Sequence, residues 1–249
     1  MEITTEAIVI KEKEFKGDRI LVLLSKELGV ITAYARGAKR PKSKFASSTE
    51  LFCYSRFILT KKGENFWVDY CDVNENFFGL RQDILKLSVA SYLCEISTCL
   101  APKEEEAGEY LRLLLNSLEF LIRDKRDIHL IKALFELRIL TMAGFMPALV
   151  GCDVCGVFES DYMYFSPQNG KIICDKCFDI EKPSGYVRIS MGILAAMRHI
   201  IYSPFEKLFA FTLSQNAIII LSNLTESYTL SHIDFLPQTL TFLKTMIAL

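Results

Sequence analysis

Two Cys-x-x-Cys pairs, Cys152 with Cys155 and Cys174 with Cys177, constrain this chain more than any other feature. That spacing lets one tight turn bring two thiolates to one metal, and two such turns complete a tetrahedral site closed to solvent. Eighteen residues separate the pairs, a length in the zinc-ribbon range. Between them, YMYFSPQNGKIIC reads as a hairpin: apolar strand, Pro-Gln-Asn-Gly turn, apolar strand. Four sulfur ligands leave no open position for a substrate, so the expected cofactor is a structural zinc. The alternatives are two disulfides, which the cytosol disfavours, a rubredoxin-like iron site, or a redox pair, which wants a thioredoxin-like βαβ setting not seen here. The remaining cysteines, Cys53, Cys71, Cys94 and Cys99, lie in apolar stretches and are expected to be buried thiols.

The start of the chain, MEITTEAIVIKEKE, has none of the parts of a signal peptide. The apolar run at 217–221 is far too short to span a bilayer. These features predict a soluble cytoplasmic protein with no membrane partner. With 51% apolar residues the chain can bury a sizeable core. Its 29 basic and 30 acidic residues nearly cancel, so any signal for a polyanion partner must be local. No phosphate-binding loop, GxSxG or HExxH motif occurs. His129, His199 and His232 share no ligand spacing. The expectation is a protein that is not an enzyme.

The pattern changes character near residue 78. Before it, residues 5–11, 19–25, 29–35, 51–60 and 65–72 read as five short strands, joined at KELG and KKGE by turn signals. Five strands with a long connection between the third and fourth suit a small closed barrel. The OB-fold is the commonest of these and often binds nucleic acid; an SH3-like barrel shares the pattern. Beyond residue 78 the apolar period is helical. Residues 80–100 form one predicted helix, ended by Ala101-Pro102. Residues 104–123 form a second, with three acids in its first turn, and Asp127 caps a third that Gly144 stops. These three are expected to pack as a bundle. After the cysteine module, helices are predicted at 190–201, 214–228 and 238–248. The fold class is α+β with two domains: a barrel at 1–78 and a helical domain at 79–249, which carries the zinc-ribbon-like insertion at about 151–180.

Residues 28–49 contain no acid, and within them RGAKRPKSK carries Arg36, Lys39, Arg40, Lys42 and Lys44. Gly37 and Pro41 argue against a helix, so an exposed loop is expected. Five positive charges in nine residues repel one another unless a polyanion joins them, and Ser43 offers a further hydroxyl to a phosphate. Nearby aromatics are Tyr34, Phe45, Phe52, Tyr54, Phe66 and Trp67. Cations that track a backbone and rings that stack on bases are the pattern of single-strand binding; a solvated loop beside core aromatics is the plainer alternative.

Several stretches, in order, resemble the RecO family of bacterial DNA repair and recombination mediators. GDRILVLLSKELGVITAYARGAKRPKSKF, residues 17–45, is similar to the family's early barrel, with its Gly-Ala-Lys-Arg-Pro-Lys-Ser run. FELRILTMAGFMPALVGCDVCG, residues 135–156, resembles the central helix, the Gly-Phe-x-Pro turn and the entry to the zinc module; CDKC and RISMGILAAMRHI follow. The resemblance implies an N-terminal OB-fold and a helical domain with a zinc element. It implies binding of single- and double-stranded DNA, annealing of complementary strands, and displacement of single-strand-binding protein for a recombinase, with a RecR-type partner in a nucleoid-associated setting. It also implies that the acidic, apolar C-terminal tail of single-strand-binding protein docks on the helical domain. Lys132 and Arg138, which flank the FELRIL helix, are the candidate cations for that tail. A protein-interaction adaptor with no DNA contact is the competing expectation.

Overall fold

Alternating apolar residues build the first element set. Strands β1 (Glu2–Phe15), β2 (Asp18–Ser25), β3 (Gly29–Ala35), β4 (Tyr54–Lys62) and β5 (Asn65–Glu75) form a closed barrel in the order β1-β2-β3-β5-β4. The computed structural model describes residues 2–40, 42–181 and 184–247. All barrel pairings are antiparallel except β3 with β5, which run parallel where Ala33 meets Phe66 and Tyr34 meets Trp67. This is an OB-like barrel. Val9, Leu21, Leu23, Ala33, Phe57 and Leu59 point inward and form its core. β1 is longer than its apolar centre predicts because it serves two neighbours: residues 2–8 pair with β4 and residues 7–15 with β2. Ladder hydrogen bonds carry the strand through a polar stretch that burial alone would not hold. β4 in turn starts three residues later than predicted. Phe52 is buried with φ 64°, and it and Cys53 bond to the backbone of Val9 before the strand begins.

The helices are α1 (Ile84–Leu100), α2 (Gly108–Ile122), α3 (Ile128–Met142), α4 (Asp175–Glu181), α5 (Met191–Tyr202), α6 (Gln215–His232) and α7 (Gln238–Ile247). Ala248, where the last predicted helix ends, lies outside the described residues. Strands β6 (Tyr162–Ser166), β7 (Lys171–Cys174) and β8 (Val187–Ser190) make a second sheet in the order β7-β6-β8. The chain divides into two compact units, one running through Lys125 and regaining the chain from Pro237, the other Arg126–Leu236.

In the first unit, α1 packs on β1, α2 on β2, and α7 on α1. Asp83 caps α1 by accepting from the amides of Leu85 and Lys86. Glu95 on α1 accepts from the backbone amides of Gln238 and Thr239 at the start of α7. The three acids Glu104–Glu106 do not open α2 as expected. The Val30 amide donates to Pro102 at 2.8 Å and the Ala107 amide to Lys26 at 2.8 Å, so the connection lies extended against the barrel and the helix starts only at Gly108. Gly29, at φ +60°, permits this approach: a Cβ there would sit 2.2 Å from the Pro102 carbonyl oxygen. α1 and α2 therefore pack in a different unit from α3, not in one three-helix bundle.

In the second unit, α3 packs chiefly against α6 and also against α5. Asp127 caps α3, as expected, through the His129 amide. Buried between charges on α3 and α6 is an ion cluster described below.

Candidate metal centre and nucleic-acid interface

The cysteine module grows out of the β6–β7 hairpin. The predicted Pro-Gln-Asn-Gly turn forms: the Gly170 amide donates to Ser166 and Gly170 takes φ +63°. Cys174 ends β7 and Cys177 lies on α4, so the second pair spans a strand-to-helix turn. The first pair sits on a knuckle closed by Gly156 donating to Cys152 at 2.8 Å and Cys152 donating to Val157 at 2.9 Å. A further bond, from the Asp153 amide to Ile172, moors this knuckle to β7.

The four sulfur atoms all lie within 4.8 Å of one another, and Cys155 and Cys174 are 3.7 Å apart. A tetrahedron with metal–sulfur bonds of about 2.3 Å has sulfur–sulfur edges of about 3.8 Å, so the donor set fits a thiolate-bound metal. Cys152, Cys174 and Cys177 are buried and Cys155 is exposed. Burial pushes the Cys152 thiol up, but backbone N–H groups of Cys155, Cys174 and Val154 offset this and draw it down to about 6. The Cys177 thiol is pushed up, first by its hydrogen bond with Cys174 and then by burial. Crowded sulfurs cannot all ionise without a cation among them. The residues present can hold a metal ion.

Arg198 on α5 supports the first knuckle, a role no local motif announces. Its guanidinium donates to the carbonyls of Leu149, Val150 and Phe158 and lies 4.0 Å from the Phe158 ring centroid. β8, also absent from the predicted elements, completes the sheet beside β6. Of the other four cysteines, Cys53, Cys71 and Cys94 are buried as expected. Cys99 is exposed, on the last turn of α1.

The basic loop leaves the end of β3. All five of its cations are exposed, and two of its apolar residues, Ala38 and Phe45, tuck into the barrel core. Buried Arg19 secures the far side by donating to Ala46 and Thr49. Arg36 lies over the Trp67 ring, 4.1 Å from its centroid. Lys39 pairs with Glu14, and its amide donates to Gly17 in the β1–β2 turn. Lys44 donates to the carbonyl of Asp69 at 3.0 Å. Ser43 accepts from the Phe45 amide through its hydroxyl oxygen, which leaves its proton available. Arg40 and Lys42 form no ion pair among the described residues. Both ends of the loop are thus pinned to β5, at Trp67 and at Asp69. The β1–β2 turn adds exposed Phe15 with Lys16 above its ring, a neighbour that the charge count of the loop alone does not reveal.

Of the two candidate cations for the tail of single-strand-binding protein, Lys132 is buried and Arg138 half-buried. Lys132 is 3% exposed; its ammonium lies 2.9 Å from Glu136 on α3 and 3.0 Å from Glu226 on α6. Burial lowers its pKa and the two carboxylates more than reverse that, for a net rise. Arg138 donates to the carbonyls of Ile200 and Ile201 and lies over Phe205. Packing of α3 against α6 turns Lys132 inward onto Glu136 and Glu226, so Lys132 is not a surface cation. His129, His199 and His232 join no metal-ligand cluster among the described residues. No described helix is long and apolar enough to cross a membrane.

Comparison with known families agrees with this architecture. The family described as Recombination protein O N terminal matches residues 1–73, and Recombination protein O C terminal matches residues 81–239. Relatives named DNA repair protein RecO align along almost the whole chain. That of Acetivibrio thermocellus is 35% identical over 97% of this chain and 96% of its own length. Those of Symbiobacterium thermophilum and Desulforudis audaxviator are 31% and 30% identical, each over 97% of this chain and 96% of the relative. With two family matches that together run over nearly the whole chain and relatives aligned almost from end to end, this protein belongs to the recombination protein O family, RecO.

Proposed function

We propose that this protein is a non-enzymatic DNA-binding recombination mediator, which binds single- and double-stranded DNA, anneals complementary strands and helps load a recombinase onto DNA coated with single-strand-binding protein. Membership of the family itself implies a role in DNA repair and recombination. The observation that carries the DNA reading is the loop of five exposed cations held along β5 of an OB-like barrel. Charges on a loop suit phosphates and do not read sequence, since no rigid helix enters a groove. The contacts in this reading are Arg36, Lys39, Arg40, Lys42, Ser43 and Lys44, with residues 1–78 as the DNA-binding domain. Residues 79–249 form the helical domain that carries the metal module and meets a RecR-type partner and the tail of single-strand-binding protein. The setting is the nucleoid in the cytoplasm.

Binding of labelled single-stranded DNA across a salt series tests the proposal. If all five cations neutralise phosphates, log affinity falls with log salt at a slope of about −3.5, so a fourfold rise in salt weakens binding roughly a hundredfold. A variant with all five changed to alanine that keeps wild-type affinity and slope would place the DNA surface elsewhere. No binding at any salt would favour the adaptor reading.

The metal in this reading is a structural zinc, supported by the four-sulfur donor set and its close spacing. Elemental analysis of purified protein is expected to find one zinc per chain; iron, or no metal, would refute it.

A further inference from the structure

We propose that Trp67, with Tyr34 and Arg36 stacked against it on the outer wall of the barrel, is a nucleobase-stacking site for the unpaired bases of single-stranded DNA. This rests on the reading that the barrel binds DNA, and it names the rings that meet the bases.

Strand alternation separates the candidate aromatics. On β5, Phe66 and Val68 point into the core, 2% and 7% exposed, and Trp67 between them points out. On β3, buried Ala33 and Ala35 flank an outward Tyr34. Parallel pairing sets Tyr34 directly beside Trp67. Their ring centroids are 4.9 Å apart with planes inclined by 29°, and the Arg36 guanidinium lies 4.1 Å from the Trp67 centroid. Phe45 and Phe52 are buried and offer no face to a ligand.

A cross-strand aromatic pair can serve only the sheet, at a few tenths to about 1 kcal/mol. Here a second observation points to a ligand. The basic loop begins at Arg36 over Trp67 and returns at Lys44 to the Asp69 carbonyl, two residues along the same strand. Phosphates bound along the loop would therefore lay their bases against the wall that carries the aromatic pair. Cations following the backbone beside rings that take the bases are what sequence-tolerant single-strand binding needs. In duplex DNA neighbouring bases cover one another's faces, so the rings discriminate in favour of unpaired strands.

Trp67 is the only tryptophan in the chain, so its fluorescence reports this site directly. The full-length protein is titrated with an oligo-dT, with an abasic oligonucleotide of equal length and with a duplex, at fixed salt. The expected result is quenching by oligo-dT and little by the abasic strand or the duplex. Trp67→Leu is expected to weaken oligo-dT binding by roughly five- to 150-fold and abasic binding by clearly less, since there only the hold on Arg36 is lost, and Trp67→Tyr to restore part of the loss. Quenching in the wild type does not depend on whether a variant folds. Oligo-dT that binds without quenching would overturn the stacking site and leave the barrel reading intact. Equal losses on oligo-dT and abasic strands would also overturn it, and no binding of any strand would overturn both.

Discussion

The barrel and the first cysteine knuckle are stabilised by opposite means. Strands of seven to fourteen residues are long enough to alternate, so the barrel closes around fully buried Leu21, Phe57, Leu59 and other apolar side chains. The knuckle is too short to alternate. Val150, Val154, Val157 and Phe158 are all exposed, by 40% to 66%, and Cys152 is the residue turned inward. With little apolar area to remove from water, that segment relies on its sulfurs, its turn hydrogen bonds and Arg198. One region is cohesive by area, the other by cross-links, and substitutions in the two are expected to fail differently.

The largest effect is expected at the cross-link. Metal binding contributes on the order of 10 kcal/mol to small zinc modules. Cys174→Ser should release the metal and abolish amide-exchange protection through residues 151–180, with the barrel amides protected as before. Barrel amides that lose protection in step with the module would show that the two regions are not independent in this way. Next is the core: Phe57→Ala is expected to cost about 3–5 kcal/mol of barrel stability through the cavity it leaves, with metal content per chain unchanged. A metal loss in that variant would break the comparison from the other side.

A smaller effect is expected from Arg198→Ala. It leaves three knuckle carbonyls without their donor, but those of exposed Val150 and Phe158 regain water, so the loss is roughly 0.5–1.5 kcal/mol. The readout is faster metal release to a chelator with an unaltered barrel unfolding transition; a release rate equal to wild type would leave the cysteines and turn bonds sufficient. Arg40→Ala should scarcely move stability in either region, because its side chain is exposed. It is expected to weaken single-stranded DNA binding alike on all sequences and to make the salt slope shallower by about 0.7. Lys39→Ala should change the slope less, since a phosphate must compete with Glu14 for that ammonium.

What was legible in the sequence was local. The two Cys-x-x-Cys pairs, the hairpin between them, the five strands and the cap at Asp127 each depend on residues within a few positions of one another. The RecO resemblance was legible for the same reason, being carried by contiguous runs in a fixed order. Glu104–Glu106 misled because a good helix start was overruled by hydrogen bonds from a distant strand. Lys132 misled because a lysine in an apolar helix reads as a surface cation until the opposing helix supplies Glu226.

By itself the sequence determined that this chain makes a small barrel, then helices, with four thiols grouped for one metal and a concentrated positive charge after the third strand. Alternation, period and short-range spacing are properties of consecutive residues, and steric and hydrophobic rules act on them directly. Only the tertiary structure decided which cations face water, which residue braces the knuckle, and that Trp67 stands on the outer wall beside Tyr34 and Arg36. Those outcomes depend on pairs far apart in the chain, brought together by strand register and helix packing, and no local pattern encodes them.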